Sequence, residues 1–233
     1  MPPMHGSSQR RSFISRLAAG TAAIGAALAT GSSPLHAMTA REEFTPAHHP
    51  QDDWFDQIAG KHRIYFDAVS PTGAAEGITF ASNYALANKN GYALEAADLA
   101  IVLGYRHFAT PFAFSDAVWA RYGPAWGKAI GYNDPVTGAP PVRNVWNVKD
   151  LPGRQPNRGV TIEMAVSRGW HFAVCDLATH VFASIAATPG GPSADDIYAE
   201  LKRSTLGNAH FVAAGIVAVN RAQERRYTFS YVG

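Results

Sequence analysis

The run Asp98-Leu-Ala-Ile-Val-Leu-Gly-Tyr105 constrains this chain more than any other stretch. It is apolar almost without interruption, the pattern of a strand buried on both faces of a parallel sheet. On either side of it, strand-like and helix-like segments alternate. His62–Val69 reads as a first strand, and the helix after it starts at Ser70-Pro71, carries Ile78, Ala81 and Ala85 on one stripe and stops at Asn90-Gly91. Thr110-Pro111 is read as the cap of a helix running to about Tyr122, and residues 160–168 return to helical spacing. Gly169–Cys175 is a third strand and Ala178–Ala187 a helix, after which Ser193 opens another with Asp196 at the capping-box position, ending at Gly207-Asn208. His210–Ala214 is a fourth strand, Gly215 opens a further helix, and Tyr227–Val232 alternates as the last strand. Strand and helix in regular succession predict a three-layer α/β/α sandwich around a mostly parallel sheet of about five strands.

In such a sheet, ligands bind at the carboxyl ends of the strands, where the following helices point unpaired N–H groups. The only cysteine in the chain, Cys175, falls at such an end. There the positive end of a helix dipole favours the thiolate, the form that attacks electrophiles and binds metals. The plainer reading of a lone cysteine is a small buried hydrophobe. Arg106-His107 stands at the carboxyl end of the second strand, so Cys175, Arg106 and His107 form the candidate site if the two strands are neighbours. An ion pair with Asp67 or Asp116 is the ordinary role for Arg106, and a hydrogen bond at a helix start the ordinary role for His107. His180 lies five residues past Cys175, so its direction relative to the thiol is open.

The N-terminus bears on the compartment. Gln9-Arg10-Arg11-Ser12-Phe13-Ile14-Ser15 resembles a twin-arginine export signal, followed by a weakly apolar Ala/Gly-rich stretch over 17–31 and a small-residue cleavage point after Ala37. That stretch is too short and too rich in alanine and glycine for a convincing membrane span. The expectation is a signal over 1–37, export to the periplasm or beyond, and no membrane attachment after cleavage. Of 20 Lys and Arg residues, three lie in the signal, leaving 17 against 18 acidic residues. With that balance and no basic patch, nucleic acid is not an expected partner.

After the signal, 38–61 reads as a loosely ordered arm containing His48-His49, with one short helix expected over Trp54–Gly60 packing Trp54 and Ile58 on the core, and 62–233 as one α/β domain. From Gly123 to Gly159 the periodicity stops among dense Pro, Gly and Asn, giving an insertion at about 124–158. A segment this long is expected to be a lid over the site or an element wrapping a neighbouring subunit, its aromatics Trp126, Tyr132 and Trp146 requiring burial.

Gly169-Trp-His-Phe-Ala-Val-Cys175, His210-Phe-Val-Ala-Ala-Gly-Ile-Val-Ala-Val-Asn-Arg-Ala-Gln223 and Tyr227-Thr-Phe229 together resemble the DsrE/DsrF-like family. Its members share a valine-rich strand ending in Cys, a Val-Pro-Ala-Gly-Val strand-to-helix turn and a terminal Gly-Tyr strand. Here Ala213 stands in place of the frequent proline and Arg226 in place of the glycine before Tyr227. The likeness is fair over 160–233, weaker over 62–107 and absent over the middle segment. It implies a five-stranded α/β/α fold, frequent homo- or hetero-oligomers and, in some members, a cysteine that passes on sulfane sulfur as a persulfide. Cys175 alone matches the family's cysteine.

Two other readings stand beside a persulfide carrier fed by a sulfur-donor protein or a small sulfur compound. One is a metal or redox accessory protein using Cys175, His107 and His180, although their spacing is no known ligand signature. The other is a non-catalytic oligomeric binding or scaffold protein. No cofactor is legible, since the chain has neither a phosphate-cradling glycine loop nor a zinc-type cysteine pair.

Overall fold

The computed structural model describes residues 45–149 and 156–233. The signal-like stretch 1–37 and the beginning of the arm lie outside the described residues. His48–Gly233 forms one compact unit, and residues 45–47 of the preceding unit carry no regular secondary structure.

Five strands, β1 (His62–Ala68), β2 (Leu99–Tyr105), β3 (His171–Cys175), β4 (Ala209–Val212) and β5 (Thr228–Val232), form one sheet in the order β4-β3-β2-β1-β5. Every pairing is parallel. Among the described residues seven α-helices accompany them: α1 (Trp54–Gln57), α2 (Pro71–Tyr92), α3 (Asp116–Ile130), α4 (Ile162–Ser167), α5 (Asp176–Ala186), α6 (Ala194–Arg203) and α7 (Gly215–Glu224). This is the expected three-layer α/β/α sandwich.

The two faces of the sheet are covered unequally. Phe66, Ile101, Leu103, Phe172 and Val174 point into the larger core, against α2, α3, α5 and α6. Tyr65, Ala100, Val102, Ala173 and Val212 point the other way, onto Ala218 and Ala222 of α7 and Phe55 of α1. The short helix expected within 54–60 is present as α1, and the arm is ordered from Pro50 onward. A 3-10 turn over Pro50–Asp52 leads into α1, and Phe55 and Ile58 are buried because one ten-residue helix cannot shield this face alone.

The middle of the chain departs from expectation. His107–Ala113 is a 3-10 segment containing Pro111, and the α-helix starts only at Asp116 after Ser115. It does not stop near Tyr122 but runs through Gly123-Pro124 to Ile130. Trp119, Tyr122 and Trp126 hold one helical stripe in the core across that pair. Gly123 and Gly127 admit Pro141, since a Cβ at either would collide with it, so the chain after α3 lies directly on the helix.

That segment buries its own aromatics. Trp146 Nε1 donates to the Pro71 carbonyl at 3.0 Å. Fully buried Asn144 donates through Nδ2 to the carbonyls of Phe112 (2.9 Å) and Phe114 (3.1 Å), while its backbone N–H donates to Asp116. Thr79 Oγ1 donates to the Pro156 carbonyl at 2.7 Å. No helix among the described residues is long and apolar enough to cross a membrane.

Candidate functional site

The site begins with the direction of two crossovers. β3 leads into α5 on one face of the sheet, while its neighbour β4 leads into α7 on the other. Adjacent parallel strands whose connections diverge leave a crevice at their carboxyl ends, the topological switch point where α/β folds bind ligands. A cleft of about 380 Å³ lies at this point. Cys175 comes to it from the end of β3, Arg106 and His107 from the end of β2, and Ala214, Gly215 and Ile216 from the β4–α7 turn. The three residues singled out by sequence thus line one cleft.

Cys175 is the N-cap of α5, a position usually taken by Ser, Thr, Asp or Asn. Its Sγ accepts the backbone N–H of Ala178 at 3.4 Å, so the sulfur sits on the positive end of the helix. The residue is 7% exposed. Access to the sulfur is through the cleft.

Arg106 is committed to a partner. Its Nε and Nη2 each donate at 2.8 Å to the two carboxylate oxygens of Asp67, whose side chain is 1% exposed. These hydrogen bonds raise the pKa of the guanidinium against the opposing effect of burial. The arginine stem rests on the start of α7, where Gly215 has no Cβ to collide with it. The charge that was to serve the sulfur therefore first neutralises a buried carboxylate.

His107 adopts a left-handed backbone conformation, φ 52°, uncommon outside glycine and found at turns and functional sites. Its ring stacks on Phe108 at 3.9 Å between centroids. His180 does not join the cleft. It stacks on Tyr198 of α6 at 3.8 Å and lies 3.7 Å from Asp176, which also binds Tyr198 and Lys202. The combination of Cys175, His107 and His180 as metal ligands is not brought together.

Tyr65 was not visible from the sequence. It is fully buried, and its hydroxyl has no hydrogen-bond partner among the described residues. A methyl at Gly104 would collide with the phenol, so the ring lies across that position. In the β1–β2 register, Gly104 stands opposite Asp67, two residues nearer the carboxyl edge than Tyr65 itself. The hydroxyl thus points toward the site. Burial above all raises its pKa, with Asp67 and Cys175 adding to the rise and Arg106 opposing it.

Most of the cleft wall is apolar: Phe108, Leu177, Val181 and Ile185 among others, with Ile216 opposite. Leu177 and Val181 stand one helical turn apart on α5, 62% and 57% exposed, beside the buried stripe Phe182-Ala183-Ala186. None of the described residues of 124–158 lines this cleft.

A second polar group lies on the α7 face. His171 Nδ1 and His210 Nε2 share a hydrogen bond of 2.9 Å across β3 and β4, and Trp54 of α1 stacks flat on His210 at 4.0 Å. Burial lowers both histidine pKa values, and His210, which also feels His171, is brought down to about 4. Elsewhere, His48, Asp53 and Asp56 place ligand atoms within 4.8 Å of one another. Arg225 and Arg63 already face Asp56, at 3.1 and 3.5 Å, and compete with any cation there. His49 is exposed and outside this group.

No family model, curated protein or solved structure matches this chain.

Proposed function

We propose that this chain is a thiol-based sulfur carrier in which Cys175 takes up a sulfane sulfur as a persulfide and passes it on. The observation that supports this reading most is that Cys175, an N-cap sulfur, lines the switch-point cleft together with Arg106 and His107. The resemblance of the Cys175 strand and the 210–223 turn to the DsrE/DsrF-like family adds to it. In the loading step, the Cys175 thiolate attacks the outer sulfur of a donor persulfide. The donor S–S bond breaks, its inner sulfur leaves as a thiolate, and the new S–S bond is on Cys175. The sulfane sulfur is passed along with no net oxidation. The donor is a small sulfur compound or a sulfur-donor protein.

The carrier reading includes export on the twin-arginine route, with removal of residues 1–37, and assembly into a homo-oligomer. Intact mass of the protein after exposure to an alkyl persulfide, and separately to polysulfide or thiosulfate, tests the chemistry. A carrier gains the mass of one or more sulfur atoms, released by dithiothreitol and absent from Cys175→Ser. A thiol that stays unmodified under all conditions removes the proposal.

A second reading, an oligomeric binding protein without turnover, is favoured by apolar residues exposed away from the cleft. Phe229 and Tyr231 on the edge strand β5 are 43% and 58% exposed, and an edge unpaired among the described residues is open to another chain. Sedimentation of wild type against Tyr231→Lys separates an oligomer built on that edge from one that is not.

A further inference from the structure

We infer that the cleft selects an uncharged, apolar-bodied organosulfur compound, and discriminates against inorganic and polyanionic sulfur donors. This deepens the carrier reading and rests on it only in that Cys175 meets its ligand inside the cleft. Three observations carry it.

The first is charge. The guanidinium lining the cleft is bound at two points to the buried Asp67 carboxylate, so the pair brings little net charge to the cavity. A dianion such as thiosulfate would shed its hydration shell with no free cation to replace it.

The second is the wall. Leu177, Val181 and Ile185 recur at every fourth position of α5 and face Ile216 at the head of α7. Over eight residues that stripe is about 12 Å long, enough for an aromatic or short alkyl body. Leu177 and Ile216 are each 62% exposed, so a ligand bound there covers apolar surface that the fold itself leaves in water.

The third is a pair of polar donors at this edge of the sheet, one beside the cleft and one at its rim. Tyr65 offers a fully buried hydroxyl without a partner among the described residues, directed to this edge. The first turn of α7 has no side-chain cap. Both suit a neutral acceptor, or the partial charge that develops on a departing sulfur, better than a full charge brought in from water.

The test uses two disulfides that react with thiols by the same exchange. In each, the Cys175 thiolate forms a mixed disulfide with one aryl sulfur and expels the other as a coloured thiolate or thione. Neutral dipyridyl disulfide and dianionic dithiobis(nitrobenzoate) are compared on the full-length protein, with glutathione as the reference for intrinsic reactivity. The neutral-to-anionic rate ratio is expected to exceed that of glutathione by about tenfold, equivalent to about 1.4 kcal/mol, because only the dianion gives up hydrated carboxylates on entering the apolar cleft.

Leu177→Ser and Ile216→Ser, at exposed positions, are expected to return the ratio toward the glutathione value while melting like wild type. A ratio equal to glutathione's, a preference for the dianion, or reaction only after denaturation overturns the inference. A neutral-reagent rate that falls as protein concentration rises also overturns it, assigning the apolar wall to a second copy of the chain. Selectivity without sulfur uptake from an alkyl persulfide would leave the inference standing and remove the carrier reading. Uptake without selectivity would do the reverse.

Discussion

Arg106 and Asp67 meet in a two-point ion pair, both hydrogen bonds 2.8 Å long, with the carboxylate almost fully enclosed. They stand on neighbouring strands, and the stem of Arg106 lies against Gly215 at the head of α7. One interaction therefore ties β1, β2 and α7 together directly beside the Cys175 cleft.

Removing the cation leaves a charge buried and unpaired. Arg106→Met is expected to destabilise the protein by about 3 kcal/mol, and Asp67→Asn in the same chain should recover most of that loss. Urea titration of both single variants and the double variant closes the cycle. Additive losses would show that the pair contributes nothing beyond its separate parts.

Tyr65→Phe is expected to stabilise the unliganded protein by about 1 kcal/mol, because it deletes a buried hydroxyl that has no partner among the described residues. Thermal unfolding checks the sign. Destabilisation would mean that the hydroxyl is satisfied in solution.

The His171–His210 pair makes stability depend on pH. Unfolded histidines take up protons near the ordinary value of 6.5, whereas folded His210 does so only at about 4. Between these values the unfolded state binds more protons, so stability is fully present above 6.5 and is lost as the pH falls toward 4. Melting temperature followed across this interval should drop in wild type and drop less in His210→Gln. Equal slopes would locate the acid sensitivity elsewhere.

Asn144→Ala is expected to cost about 2 kcal/mol, since it strands the carbonyls of Phe112 and Phe114 in the interior. At a temperature where the variant remains folded, the alkylation rate of Cys175 should be unchanged, because no described residue of 124–158 reaches the cleft. A faster rate would restore the lid expectation.

The alternation of strands and helices was legible because each element announces itself locally. The apolar run at 99–103 and the Ser193–Asp196 capping box both fall where expected. The continuation of α3 to Ile130 was hidden by Gly123-Pro124, although Trp119, Tyr122 and Trp126 keep helical spacing across it. What local pattern cannot supply is register and face. Cys175 and Arg106 sharing a cleft depends on β3 pairing with β2, and the cleft exists because α7 crosses to the face opposite α5. For the same reason Tyr65 over Gly104, and His171 beside His210 some 39 residues away, had no sequence signature. His180 could be placed only once α6 was seen to lie against it.

Sulfur transfer at Cys175 requires that this residue, though 7% exposed, be met by solutes in the native state. The direct measurement is the rate of its alkylation by iodoacetamide in urea concentrations well below the unfolding transition, followed by intact mass. A rate that is appreciable and flat across that range is the predicted result, because the cleft already admits the reagent. A rate that is negligible in buffer and climbs in step with the unfolded fraction would show that the sulfur is sealed, and would leave the fold without the chemistry.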